Sequence, residues 1–165
     1  VALLFISLIG GILSTLPTPE EPGIGVTTIS PPTTRGEVMH IRADGLDTVK
    51  IGMPWPEAVS LANLVVQRDT KECSLASDPA SGASITAYDQ VVTLIMVQDS
   101  GVETVAGIGV GDSEDEVFAV YPLDALDTEK GRLVILDGSN ELVVGLFGGK
   151  VTYLWARQGG IANHC

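Results

Sequence analysis

The chain has 165 residues, nine Lys/Arg against 21 Asp/Glu, a formal charge of -12 and 45% hydrophobic residues. That is core enough for one domain or two small ones. The acidity excludes a nucleic-acid binder, which needs Lys/Arg to displace counterions from phosphate, and disfavours contact with an anionic membrane surface; it reads as a soluble, self-repelling exterior.

The first stretch, "VALLFISLIGGIL", is apolar and uncharged. Residues 1–16 are short for a membrane span, which needs about 20. They fit the apolar region of a secretory signal peptide or the remainder of an N-terminal membrane anchor, and no A-x-A site or lipobox cysteine decides between the two. Residues 17–35 are rich in Pro and Thr and read as an extended linker or stalk, because proline removes backbone donors and holds extended conformations. These features predict a secreted or extracytoplasmic protein, released or still tethered.

A folded body is expected over 36–165. "EVMHIRADG" predicts a strand and a turn. "LDTVKIGMPWPEAVSLANLVVQ" predicts a short strand, a glycine turn and a helix. Pro56 suits the first helical turn, Glu57 suits the same end of the dipole, and Ala58, Leu61, Ala62 and Val65 share one helical face. "CSLASDPASGAS" reads as a loop. "SITAYDQVVTLIMVQDSG" reads as two β segments divided near Asp89, the second uncharged and therefore buried.

"GIGVGDSEDEVFAVYP", 107–122, has the look of a nucleotide turn, but its glycines follow G-x-G-x-G instead of G-x-G-x-x-G. Asp112, Glu114, Asp115 and Glu116 at the helix start would repel a pyrophosphate. The alternative reading uses every residue. Ser113 and Glu116 have the spacing of a capping box, the acids complement the dipole, Val117, Val120 and Tyr121 face the core, and Pro122 ends the helix. The acids lack the spacing of a calcium loop. No cofactor and no metal are expected.

"GRLVILDGSNELVVGLFGGKVTYLWARQGG" predicts three antiparallel strands, 132–137, 141–147 and 150–157, joined at "DGSN" and "GGK". "IGMPWPEAV" from Ile51 aligns without gaps with "IGVGDSEDE" from Ile108. Each copy leads from a strand end into a helix and then a β segment. This predicts two related halves, about 36–100 and 101–165. The fold class expected is α+β, each half a short helix packed on an antiparallel sheet.

Cys73 and Cys165 are too few for a zinc site without help, and His40 and His164 offer little. In an oxidising compartment the cysteines form one disulfide, closing a loop of about 90 residues; two unconnected buried thiols are the alternative.

"GLDTVKIGMPWPEAV", "GIGVGDSEDEVFAVYP", the strand meander and the terminal Cys resemble a group of uncharacterised secreted bacterial proteins. More distantly they resemble tandem modules of the β-lactamase-inhibitor-protein type and the SmpA/OmlA outer-membrane lipoprotein type. The likeness covers roughly 40–165. Pro54 stands where that pattern often has Thr as a helix cap. The resemblance implies a helical segment on one face of an antiparallel sheet, and binding instead of catalysis.

There is no G-x-S-x-G, H-E-x-x-H or C-x-x-C. His40 reads as a surface residue of a strand. Carboxylate pairs such as Asp124 with Asp127 leave a weak hydrolase as a formal alternative. The better hint is the last strand. Strict alternation puts Val151, Tyr153 and Trp155 on one face and Thr152, Leu154 and Ala156 on the other. Both faces are largely apolar, as they are for Leu142, Val144 and Leu146 against Val143 and Phe147. One face covers helices. The other packs on the first half, on another copy of the chain, or on a protein partner through Trp55, Tyr153 and Trp155. The function expected is a non-enzymatic binding or envelope-structural module with an unidentified protein partner; an inhibitor of an extracellular enzyme is the first alternative.

Overall fold

The computed structural model describes residues 38–121, 125–127 and 130–160. All belong to one of two compact units of the chain, Arg35–Cys165. The predicted signal or anchor, the linker, Pro122, Asp124, His164 and Cys165 lie outside the described residues.

The fold is α+β and mostly sheet. Strands β1 (Met39–Arg42), β2 (Gly45–Leu46) and β3 (Val49–Lys50) lead into helix α1 (Trp55–Leu61). Then come β4 (Val65–Asp69), β5 (Cys73–Ser77), β6 (Ser84–Tyr88), β7 (Val91–Val97) and β8 (Val102–Thr104). Helix α2 (Glu114–Val120) precedes β9 (Leu126–Asp127), β10 (Arg132–Asp137), β11 (Asn140–Phe147) and β12 (Lys150–Gln158). A four-stranded sheet has the order β3-β2-β1-β8, and an eight-stranded sheet the order β4-β5-β6-β7-β12-β11-β10-β9. Every pairing in the large sheet is antiparallel, and the parallel pairing of β1 with β8 belongs to the small one. Among the described residues no helix is long and apolar enough to cross a membrane.

One face of the large sheet meets the helices and the small sheet. Ile85, Ile95, Leu133 and Leu154 pack there with Ile41, Leu46, Trp55, Ala58 and Val117 in a single apolar cluster. Each such fully buried aliphatic side chain contributes about 1.5–3 kcal/mol. Strand β7, the uncharged run, lies at the centre of the sheet, where burial on both sides suits it.

Both helices are attached to the large sheet by the same backbone hydrogen bonds, spaced alike along the chain. Gly52 N donates to Val92 O at 2.8 Å, and Gly111 N to Val151 O at 2.9 Å. Val92 N donates to Met53 O, and Val151 N to Asp112 O. The first helical amide, Trp55 N or Glu114 N, reaches the carbonyl of the hairpin-turn residue Gln90 or Gly149. The turns match as well: Asp89 and Gln90 have φ of 49° and 62°, Gly148 and Gly149 of 61° and 75°. Two central residues at positive φ suit the twist of a two-residue hairpin. Each hairpin also carries a bulge just after its turn, with Thr93 the extra residue in one and Thr152 in the other. The counterpart of Gly52 is thus Gly111. The gap-free alignment of Ile51 with Ile108 is two residues out of register.

Three local expectations are corrected. Helix α1 stops at Leu61: Ala62 caps it, Asn63 adopts a φ of 50°, and Val65 already belongs to an exposed edge strand. A left-handed residue just past a helix ends it, and β-branched valines favour extended chain. Leu61 is accordingly 52% exposed, off the core. The segment read as a loop, Cys73–Ser77, is β5, held between β4 and β6. In α2 Val117 is buried, with Phe118 and Tyr121 packed partly against the core, while Val120 is half-exposed.

Candidate functional site

The region 107–116 is a structural joint. Ser113 caps α2, accepting from Glu116 N at 3.3 Å, and Glu116 Oε2 accepts from Ser113 N at 2.8 Å. That pairing holds the Glu116 carboxyl below its ordinary pKa, chiefly through the Ser113 backbone hydrogen bond. The glycine amides are used within the chain. Gly107 N donates to Thr104 O, Gly109 N to Asp112 Oδ2 at 2.8 Å, and Gly111 N to Val151 O. None of these three is left for a phosphate. Tyr121 closes the joint by donating its hydroxyl to Thr104 Oγ1 at 2.8 Å, and burial raises its pKa. Among the described residues no group of three or more His, Cys, Asp or Glu could hold a metal ion.

The opposite face of the large sheet is where an aromatic pair gathers. The bulge at Thr152 shifts the alternation of β12. Val151 pairs with Leu146 and faces the core together with Leu154 and Ala156, while Tyr153 and Trp155 face away. The expected placing of Val151 with Tyr153 and Trp155 is therefore corrected. A strict period of two fails at the residue that strand β11 leaves unpaired.

Tyr153 and Trp155 stack, with ring centroids 4.5 Å apart and planes inclined by 26°. Tyr153 lies opposite Gly145, and its ring fills the space a side chain would take there; a Cβ on Gly145 would fall 2.1 Å from it. Trp155 lies between Val143 on β11 and Met96 on β7. Val143 and Leu94 are buried yet stand apart from the apolar cluster beneath the helices, so this face has its own small apolar layer. Beside it Arg157 is bound to Glu141, its Nε 2.6 Å from Oε2. At its margins Leu136 is 71% and Phe147 81% exposed. Such a surface offers area and shape for contact.

Trp55 does not join this pair. It is 1% exposed, the first residue of α1, and packed in the core. The extended Pro54 before it turns the indole inward, so a surface role for Trp55 is corrected to that of a helix anchor. His40 is exposed on β1. Cys73 opens β5; its amide donates to Thr70 Oγ1 at 3.0 Å, and Arg68 Nη1 reaches its Sγ at 3.7 Å. Met96, Leu94 and Gly145 were missed in the sequence. Their signal was register, which a single strand read alone does not carry.

Compared with protein-family models, with curated proteins and with solved structures, the chain matches none.

Proposed function

We propose that the chain is a non-enzymatic extracytoplasmic binding module that meets a protein partner through the sheet face carrying Tyr153 and Trp155. The observation that supports this reading most is the stacked pair itself, set over Gly145 on the face away from the helices. Trp and Tyr on such a face are the residue types that dominate protein contacts.

We further read the body as two related halves. The repeated helix attachments, turns and threonine bulges argue for it, and so does the seam. Leu154 pairs with Val97, Trp155 with Met96 and Ala156 with Ile95. Exchanging equivalent positions returns the same set of pairs, so Met96 and Trp155 lie on the two-fold axis, at the middle of the sheet. Central residues carry most of the energy of an interface.

The disulfide between Cys73 and Cys165 belongs to this reading. Cys73 aligns with Tyr88, Tyr88 with Val91, and β12 runs towards that same end of the sheet, with Arg157 opposite Leu94. Three strand spacings make about 14 Å. Five residues span up to about 17 Å, so the last five are long enough.

The test is capture from culture medium or envelope extract, under non-reducing conditions, with wild type and with Tyr153→Ala/Trp155→Ala. The variant should lose the specific partner while unfolding at a similar denaturant concentration. An unchanged set of captured proteins would sink the proposal. Capture of an enzyme whose activity falls on binding would turn the module into an inhibitor.

A further inference from the structure

A different site lies on the small sheet. Strand β1 turns Ile41 into the core and His40 and Arg42 outward. Arg42 pairs with Gly45, and Gly45 with Lys50, so two cations flank a residue without a side chain. Gly45 is required there: its φ is 148°, and a Cβ would fall 2.2 Å from the Val49 carbonyl oxygen. It would also fall 3.0 Å from Lys50 Cδ, so the lysine stem packs against the glycine. On this outward side is a cavity of about 270 Å3 lined by His40, Arg42, Asp47 and Lys50, with Val38 and Met39.

The charges there run against the rest of the chain, which has more than two carboxylates for each Lys or Arg. The cavity gathers two cations and a histidine around one carboxylate. Arg42 makes no ion pair among the described residues. Lys50 sits 3.6 Å from Asp44 in an exposed pair, the kind that holds its partners weakly. Glu103, opposite His40 on β8, and Asp44 add negative charge at the border.

We propose that this cavity binds a small carboxylate that also carries a hydrogen-bond donor, as a free amino acid or hydroxy acid does. The ligand carboxylate is taken by the Arg42 fork and the Lys50 ammonium. Its amino or hydroxyl group donates to Asp47. A dianionic phosphate suits the site less, because Asp47, Asp44 and Glu103 oppose a second negative charge.

Amide chemical shifts of the full chain, titrated with glycine, lactate, acetate and inorganic phosphate, test this. Glycine and lactate should give saturable shifts confined to β1–β3, with acetate weaker by about tenfold for want of the Asp47 contact. Arg42→Ala should weaken all three by about tenfold or more. Asp47→Asn should erase the advantage of glycine over acetate. Phosphate binding as tightly as glycine would overturn the proposal in favour of a plain cationic patch. No saturable shift, or one indifferent to Arg42→Ala, would overturn it outright.

Discussion

Helices α1 and α2 occupy the same place in their surroundings and are fixed there by different chemistry. Both start beside the first residue of a long strand, Pro54 next to Val91 and Ser113 next to Lys150. Both run for seven residues and end on a backbone bond to the residue four back. α2 starts with a full capping box and three acids in its first turn. α1 has no side-chain cap, because Pro54 offers none, and instead buries an indole at its first position. One helix is held by hydrogen bonds at its end, the other by apolar burial. The constant part is the set of backbone bonds to the neighbouring strand; the side chains supply stability in whichever way the sequence allows.

The sharpest way to break that comparison is to remove the indole. Trp55→Ala should cost about 3–5 kcal/mol, the range for deleting a large aromatic from a core, measured by denaturant unfolding. Among the described residues the Trp55 Nε1 has no hydrogen-bond partner, so apolar contact carries the loss. A cost below about 1 kcal/mol would mean that α1 is held by its backbone bonds alone.

The next effect joins the two regions. Reduction of the full chain should lower stability by about 2–4 kcal/mol if Cys73 and Cys165 are bonded. Cys73→Ser should show the same loss and then no response to reductant. A wild type indifferent to reductant would remove the bond from the proposal.

Much of the second region was legible in the sequence, because its signals are local. Ser113 and Glu116 spell the capping box, and "GGK" marks the last turn. Runs of β-branched residues give β10, β11 and β12 within a residue or so. The first region was harder. β4 and β5 were missed because "VVQRD" continues a helical pattern and "CSLAS" is rich in small polar residues. Their strand character comes from pairing, β4 with β5 and β5 with β6, which a run of residues read alone does not show. The candidate face was half legible: Tyr153 and Trp155 were rightly placed together, but the Thr152 bulge and the partners Met96 and Gly145 come from register across strands. Trp55 is not legible as an anchor because Trp favours partner surfaces and cores alike, and only packing tells the two apart.

A smaller effect tests the caps directly. Ser113→Ala should cost about 1 kcal/mol, within the usual range of about 0.5–2 for losing such a cap. The counterpart change, Pro54→Ser, tests whether α1 would profit from the device it lacks. It should stabilise by a fraction of that amount if the serine hydroxyl reaches the Glu57 amide. If Pro54→Ser destabilises instead, the fixed φ of proline is what starts α1.

The smallest and most specific effect is in pH. Glu116 is ionised more readily in the folded protein, because Ser113 N and Oγ donate to its carboxylate. A group whose folded pKa is depressed contributes stability that is full above its unfolded value, about 4.3, and is lost as pH falls through the lower folded one. Wild type and Glu116→Gln should therefore converge in stability as acid is added below about pH 4.3 and differ by a constant amount above it. Glutamine keeps an acceptor for the Ser113 amide but has no charge to titrate, so the convergence isolates the carboxylate from the cap geometry. A difference between wild type and Glu116→Gln that stays constant as pH falls well below about 4.3 would mean that the capping box holds α2 by geometry alone.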